Sequence, residues 1–157
     1  MQVGADPRAA QNQYPPLNNM NHEVVAALII QSQRILLGQR ASDRAFYPGV
    51  WDVFGGHIEA GESLEQTLVR ELQEELGITP TQWTYLETLR ISAPETAALI
   101  VHLYLVTAWA GTPENLQLDE HSVIGWFSLA EAVQLPLADP SYPELFARYL
   151  TPGIETS

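Results

Sequence analysis

The sequence contains no cysteine. Without thiols the chain forms no disulfide framework, holds no metal ion through thiolates and offers no cysteine nucleophile. A reducing compartment is compatible with this composition. Covalent thiol chemistry is therefore excluded from any function that the protein performs.

Basic residues are scarce. Only 7 Lys+Arg stand against 19 Asp+Glu, which gives a formal net charge of −12 at pH 7. Such a charge repels nucleic-acid backbones and anionic membrane surfaces, so a polymeric nucleic-acid partner is disfavoured. It would also repel a small phosphorylated substrate unless bound divalent cations reversed the local field. The charge is therefore a first indication of a metal site.

Long apolar runs are also missing. The stretches "VVAALII" and "AALIV" are far too short to span a bilayer, and residues 1–20 lack the apolar core of a signal peptide. We therefore expect a cytoplasmic protein that does not enter a membrane.

The length of 157 residues and the hydrophobic content of 46% fit one globular domain with a substantial core. We place this domain at residues 21–151. Residues 1–20, rich in Pro, Gln and Asn, are expected to form a mobile extension or a strap on the domain surface, and residues 152–157 a similar tail.

Strand patterns recur along the domain and are separated by turns, by a loop at 41–50 and by helices. A glycine-bearing loop at 55–62 precedes the first helix. The turn at 93–96 contains Pro94. The predicted strands are 22–30, 34–40, 51–54, 82–92, 97–109 and 123–129, of which the first two form a hairpin.

Helix signals alternate with these strands. The longest predicted helix covers 64–76, with Ser63 and Gln66 as a capping box and Gly77 as the stop. The other predicted helices are a short one at 130–134 and a last one that opens at Ser141, with Pro143 and Glu144 in its first turn, and ends near Leu150. The alternation indicates an α/β protein with a mixed sheet between helical layers.

Three acids, Glu71, Glu74 and Glu75, crowd the carboxyl end of the 64–76 helix. The helix dipole is negative there, and like charges one turn apart cost roughly 0.2–0.5 kcal/mol per pair. A leucine face should pack on the sheet, so Glu71 and Glu75 fall at its edge and converge with Glu74. Local rules broken at one place suggest a functional site, whereas a solvated acidic face is the alternative interpretation.

Converging carboxylates supply the oxygen ligands that Mg²⁺ prefers. The glycine pair Gly55 and Gly56 stands just ahead of the helix in the sequence. Glycines let backbone amides and carbonyls approach an ion or a phosphate without side-chain obstruction. A metal and phosphate site therefore fits this segment.

The spacing favours the functional interpretation. From Gly56 to Ile78 the chain reads "GHIEAGESLEQTLVRELQEELGI", which matches every defined position of the Nudix box. A chance match at one register is on the order of 1 in 10⁸ at average residue usage. The protein therefore resembles the Nudix hydrolases, through the box and through a compatible strand order over about residues 22–150.

This resemblance implies an α/β/α sandwich and a Mg²⁺- or Mn²⁺-dependent hydrolase. Its substrate would be a small nucleotide, either a nucleoside triphosphate or a nucleoside diphosphate joined to another moiety, cleaved at a diphosphate linkage by water attack on phosphorus. By the same resemblance Glu71, Glu74 and Glu75 bind the metal, and the carbonyl of Gly55 adds a ligand. Glu71 belongs to the catalytic set as well.

Further roles follow from the resemblance. Arg70 would orient its neighbours, and Glu62 would set the loop geometry or make a weaker metal contact. Glu120, in the loop before a strand, would serve as general base or additional metal ligand, with Asp119 as its competitor. Phe54 stands where many relatives carry proline, so this strand does not identify the substrate.

Candidate substrate-binding residues lie around the box. Arg40 is predicted to reach a substrate phosphate, with a surface ion pair as the alternative. Gly56 and His57 would contact phosphate or metal-bound water, although a loop histidine is often merely exposed. Arg44 is a weaker phosphate candidate, and His102 is expected to be hydrogen-bonded within the sheet. Aromatic side chains at Phe46, Tyr47, Trp51 and Trp126 are available for a nucleobase, but such residues usually belong to the core.

Two other functions remain as alternatives. One is a nucleotide-sensing module that keeps the fold but has lost the chemistry. The other is an isoprenoid diphosphate isomerase, which relies on a catalytic cysteine that this chain lacks. The sequence leaves the oligomeric state open, a homodimer included.

Overall fold

The computed structural model describes residues 22–41, 49–93 and 96–150. The sequence-based expectations for Arg44, Phe46, Tyr47, Pro94 and the two terminal segments lie outside these ranges. Within them, no helix has both the length and the apolar character needed to cross a membrane.

Within the described ranges, seven strands form one mixed sheet. They are β1 His22–Gln31, β2 Arg34–Arg40, β3 Trp51–Asp52, β4 Phe54–His57, β5 Thr79–Ala93, β6 Thr96–Ala110 and β7 His121–Phe127. The order is β3-β2-β1-β6-β5, with β4 also paired to β1 and β7 to β2. The pairing of β1 with β6 is parallel, and the other pairings are antiparallel.

Helices cover both faces of this sheet. They are α1 Leu64–Leu76, α2 Leu129–Ala132 and α3 Tyr142–Tyr149. The leucines of α1 join one buried cluster, whereas Ala132 of α2 and Phe146 of α3 join another. The predicted α/β/α sandwich with a mixed sheet is confirmed.

Strand β1 is buried on both faces, which explains why its sequence reads as one apolar run. Val25, Ala27 and Ile29 point into the cluster beneath α1. Ala26 and Leu28, which alternate with them, point into the cluster beneath α2 and α3. The partners of β1 are therefore fixed in register, because a slip by one residue would exchange the two faces.

Helix α1 begins and ends where the sequence predicts. The amide of Gln66 donates to the Ser63 hydroxyl at 3.1 Å, and the Ser63 amide donates to the Gln66 side chain at 2.8 Å. Gly77 has a φ of 72°, a left-handed conformation that suits glycine. The buried leucines Leu68, Leu72 and Leu76 each contribute about 1.5–3 kcal/mol, more than the repulsion among the neighbouring acids costs.

The structure corrects several sequence-based boundaries, among them the start of β5, which lies at Thr79 rather than at 82. Gly55, Gly56 and His57, expected in a loop, belong to β4 and pair with β1. A glycine pair hides a strand because glycine is depleted in strands, except where another backbone approaches closely. Strand β7 begins at His121 rather than at 123, and Leu129 starts α2 rather than ending the strand.

The last helix, α3, opens at Ser141 as predicted, without a side-chain cap. Ser141 precedes α3, but its side chain makes no capping hydrogen bond. Its hydroxyl donates to the Asp139 carboxylate instead, and the same oxygen accepts the Ser141 amide at 2.9 Å. Asp139 therefore accepts both hydrogen bonds that Ser141 donates at the start of the helix.

Candidate active site

The glycine pair brings β4 against the carboxyl half of α1. A Cβ added at Gly56 would lie 2.3 Å from Oε2 of Glu71, and one added at Gly55 would lie 1.9 Å from the carbonyl oxygen of Val25. The Gly55 amide donates to Oε1 of Glu75 at 3.1 Å. Gly56 therefore makes room for the Glu71 carboxylate, whereas Gly55 lets β4 lie close against β1 while its amide binds Glu75.

Arg70 ties the loop before α1 to the helix itself. Its Nε and Nη2 donate to the two carboxylate oxygens of Glu62, at 2.6 and 3.0 Å. Its Nη1 donates to Oε2 of Glu71 at 3.0 Å, and Nη2 also donates to the carbonyl of His57 at 3.0 Å. A guanidinium suits this role because its donors are fixed in one plane.

Glu62 is occupied by structural partners. Besides Arg70, its carboxylate accepts from the Glu59 amide at 3.0 Å and from the Thr67 hydroxyl at 2.8 Å. Burial alone would raise the pKa of Glu62, but these hydrogen bonds outweigh burial and lower it. Of the two roles expected for Glu62, these contacts supply the loop geometry.

Glu75 carries the largest electrostatic strain in the site. The residue is 5% exposed. Burial, followed by the charges of Glu71 and Glu120, raises the pKa of Glu75 to about 9, against the opposing effect of the Gly55 amide. The pKa of Glu71 is also raised, chiefly by burial and, despite Arg70, by Glu74 and Glu120. The carboxylates of Glu71, Glu75 and Glu120 therefore lie close enough to disfavour one another's negative charge.

The loop that carries Glu120 is docked on the end of α1. The amides of Leu116 and Glu114 donate to the last carbonyls of the helix, those of Glu75 and Leu76, both at 3.0 Å. The carbonyl of Glu120 accepts from the amide of Ala41 at 2.9 Å. Glu120 is thereby placed where its charge acts on Glu71 and Glu75, whereas Asp119 is exposed.

The remaining site candidates lie at the edge of this cluster. Glu74 is 3.3 Å from Nη1 of Arg70, with its side chain half exposed, and His57 is exposed at the end of β4. Arg40 ends β2, and its charge partly offsets the effect of burial, which raises the pKa of Asp52 on the neighbouring strand β3. Asp52 in turn acts on Glu75. The charge of Arg40 therefore acts on Asp52, which links it to the carboxylates of the cluster.

Two polar residues beside the site, the half-buried Asp52 and the buried His121, were not predicted from the sequence. Asp52 accepts from the Tyr142 hydroxyl and from the Val53 amide, both at 2.8 Å, and burial raises its pKa. His121 is 6% exposed and directly follows Glu120. The signal for Asp52 was an acid inside a short strand beside the glycine pair, and the signal for His121 was a histidine beside a candidate acid.

Other polar and aromatic candidates have structural partners. His102 bonds to Glu23 at 2.9 Å and to Thr88 at 3.3 Å, as expected for a sheet residue. The ring centroids of Trp51 and Phe127 are 5.0 Å apart, and those of the stacked rings of Trp126 and Trp109 are 6.0 Å apart. These contacts fit the interpretation of the tryptophans as packing residues.

The fit of a divalent cation rests on the chemistry of the donors. Among the residues that the structure describes, no three His, Asp or Glu side chains close on one point. Arg70 instead holds one oxygen each of Glu71 and Glu74. The excess of buried negative charge around Glu75, supplied by oxygen donors alone, is nevertheless what a hard cation such as Mg²⁺ would neutralise. The residues therefore suit such an ion.

Comparison with known proteins agrees with this geometry. A family model described as the NUDIX domain matches residues 20–149. The chain is 43% identical over 129 residues to the CTP pyrophosphohydrolase of Escherichia coli (strain K12). This match spans 80% of this chain and 89% of that protein. It is 32% identical over 130 residues to the NAD-capped RNA hydrolase NudC of Pseudomonas aeruginosa (strain LESB58), where the match spans 83% of this chain but 43% of the relative.

A solved structure gives the same result. The MutT NUDIX hydrolase from Burkholderia pseudomallei is similar with a TM-score of 0.72 and 30% identity, over 84% of this chain and 99% of that one. The box at Gly56–Ile78, the sandwich and these matches agree. The chain belongs to the Nudix hydrolase family.

Proposed function

We propose that the protein is a Mg²⁺- or Mn²⁺-dependent diphosphohydrolase that converts a nucleoside triphosphate into a nucleoside monophosphate and pyrophosphate. The observation that carries the proposal is the position of Glu75, buried against the Gly55 amide and facing the charges of Glu71 and Glu120. A carboxylate group of this kind suits a cation that bridges to phosphate oxygens. The similarity to a CTP pyrophosphohydrolase over nearly its whole length supports CTP as the first substrate to test.

The metal would be held by Glu71, Glu74 and Glu75, with the carbonyl of Gly55 as a further ligand. When bound, it would supply charge neutralisation of the diphosphate and a lowered pKa of the attacking water. A polyanionic substrate needs this neutralisation of charge, because the chain itself carries a net charge of −12.

The side chains around the metal ligands divide the remaining work. Arg70, braced by Glu62, holds Glu71 in place, and the lack of a side chain at Gly56 leaves the room that the Glu71 carboxylate occupies. The backbone of Gly56 binds a substrate phosphate beside that carboxylate. Arg40 and His57 bind the substrate phosphates from the edge of the cluster. Glu120 accepts the proton of the attacking water, so that a new bond forms between water oxygen and phosphorus as the diphosphate bond breaks.

A substrate panel tests this function. CTP, the other nucleoside triphosphates, NAD and ADP-ribose are incubated with Mg²⁺ or Mn²⁺, and products are identified by ³¹P NMR, with Glu75→Gln as the inactive control. We expect pyrophosphate and a monophosphate from CTP, with ¹⁸O from labelled water on a phosphorus-bearing product. Binding of nucleotides without turnover under either metal would instead support the nucleotide-sensing alternative, and label on carbon would exclude attack on phosphorus.

A further inference from the structure

His121 is buried between two strands that flank the candidate active site. Its ring centroid lies 5.1 Å from that of Phe54 on β4. On the β2 side, a Cβ added at Gly38 would lie 2.8 Å from Cδ2 of His121 and 3.0 Å from Phe54. The histidine ring therefore fills a space that exists only because residue 38 has no side chain.

A β-bulge in β7 places this ring on the α1 face of the sheet. Gln39 pairs with Val123 and Arg40 pairs with His121, so Ser122 is an extra residue on β7. Further along β7, Ile124 and Trp126 pack on the α1 side of the sheet. Strict alternation from Ile124 would turn residue 121 to the opposite face. The bulge breaks that alternation, and His121 packs against Phe54 on the α1 side.

The backbone around His121 is fixed as well. Its amide donates to the carbonyl of Gln117 at 3.0 Å, and its carbonyl accepts from Nδ2 of Asn115 at 2.8 Å. The preceding carbonyl, that of Glu120, accepts from Ala41. Glu120 is therefore held between two anchored peptide groups and next to an anchored ring.

The ring of His121 is also linked, through Phe54, to the strand that contacts Glu75. Phe54 directly precedes Gly55, whose amide donates to Glu75. One packing unit, formed by Gly38, Phe54 and His121, therefore spans both the strand that contacts Glu75 and the loop that presents Glu120.

We propose that His121 is a positioning residue that sets the placement of Glu120 relative to Glu71 and Glu75 through its packing on Phe54 and Gly38. This inference rests on the proposed function of Glu120. A displacement of about 1 Å in a catalytic group lowers turnover by as much as roughly 10²-fold, so loss of the ring should affect kcat far more than KM.

A double-mutant cycle tests the positioning role. His121→Ala is expected to lower kcat roughly tenfold or more, with KM within about twofold of the parent's. In the Glu120→Gln background the same substitution should cause almost no further loss of kcat, because both changes act on the same group. Phe146→Leu, a buried ring on the opposite face of the sheet, controls for a general loss of packing. Gly38→Ala, which pushes on the same ring, is the second variant if His121→Ala does not fold.

Hydrogen exchange gives a readout that does not depend on catalysis. The amides of Ala41, Glu120 and His121 should exchange faster in His121→Ala and Gly38→Ala, but not in Phe146→Leu. Unchanged exchange and kcat, or losses in kcat that add independently of Glu120→Gln, would overturn the positioning role. A parental turnover for Glu120→Gln would overturn the proposed role of Glu120 instead, even if the loop amides exchange faster.

Discussion

The amide of Gly55 and the carboxylate of Glu75 form a 3.1 Å hydrogen bond across 20 positions of the chain. This single bond fixes one oxygen of a nearly buried acid against the sheet. The helix that carries Glu75 is anchored separately by its leucine face. The position of the carboxylate and the stability of the fold therefore depend on different contacts, and mutations should separate them.

Glu75→Gln should lower turnover by at least roughly 10²-fold while leaving the fold intact, since it removes a proposed metal ligand and keeps the shape of the side chain. Steady-state kinetics at saturating Mg²⁺ and circular dichroism measure the two effects. Glu144→Gln, in the first turn of α3, serves as a matched control with one acid fewer. Near-parental activity of Glu75→Gln would remove Glu75 from the metal site.

The stability of the metal-free protein should fall as pH rises. The pKa of Glu75 is raised from 4.5 to about 9, so the folded state binds this proton more tightly than the unfolded state. The stabilising effect of the proton is complete below the unfolded pKa and is lost as pH rises through the folded pKa, with a slope of at most about 1.4 kcal/mol per pH unit. Chemical denaturation between pH 5 and 9 without metal measures it, and Glu75→Gln should flatten the curve.

Divalent metal should counteract this loss of stability at high pH. A cation competes with the proton for the same carboxylate, so the rise in Tm caused by Mg²⁺ or Mn²⁺ should grow with pH over the same interval. Thermal denaturation with Mg²⁺, compared with EDTA, measures the difference. A metal-induced rise that is equal at low and high pH would contradict the placement of the ion at Glu75.

Alanine at the two glycines should have different consequences. At Gly56 the added Cβ meets the Glu71 carboxylate, the movable end of a side chain, whereas at Gly55 it meets the Val25 backbone. Gly56→Ala should therefore keep most of the stability but lose roughly 10²-fold in turnover, and Gly55→Ala should unfold the protein at a lower temperature.

Gly61→Ala is the control for these substitutions. Gly61 has a φ of +84° with nothing near the added Cβ, so its replacement introduces backbone strain of roughly 1–2 kcal/mol without a collision. Its turnover should stay close to that of the parent. Equal losses of activity in Gly56→Ala and Gly61→Ala would mean that crowding of Glu71 is not the cause.

Arg70→Lys should lower turnover although the positive charge is kept. Lysine cannot make the paired bonds to Glu62 while also holding Glu71 and the His57 carbonyl. We expect a loss of roughly tenfold or more in kcat. Arg148→Lys, at the exposed ion pair with Glu87, is the matched control and should be silent. Parental activity in Arg70→Lys would show that charge alone suffices.

Local signals were sufficient for the elements that they define. Ser63, Gln66 and Gly77 fixed the limits of α1 because capping involves residues a few positions apart. The burial of β1 on both faces followed from its continuous apolar run. The convergence of Glu71 and Glu75 followed from helix periodicity, and the box supplied the family.

Contacts between distant segments were not visible in the sequence. Strand β4 was hidden because its glycines are required by segments distant in the sequence, Gly55 by the β1 backbone and Gly56 by the Glu71 side chain. His121 was missed because a bulge on β7, which alternation cannot anticipate, turns it inward. The Asp52–Tyr142 bond joins residues 90 positions apart, so neither residue alone signals it.

Glu120 and Asp119 can be separated by kinetics. Both acids precede β7, but the charge of Glu120 acts on Glu71 and Glu75, whereas the side chain of Asp119 is exposed. A general base must lie within hydrogen-bond reach of the attacking water, directly or through one intermediary. Glu120→Gln should therefore lower kcat by roughly 10²-fold with little change in KM, and should alter the acid limb of the pH–rate profile.

Asp119→Asn removes the same charge from the adjacent position and is the matched control. We expect its kcat and pH profile to follow the parent's. A crippled Asp119→Asn beside a normal Glu120→Gln would assign the base to Asp119. If both variants keep parental kinetics, the proton of the attacking water must go to an acid within the box, where Glu71 becomes the candidate, since its pKa is raised by burial and it lies against Gly56.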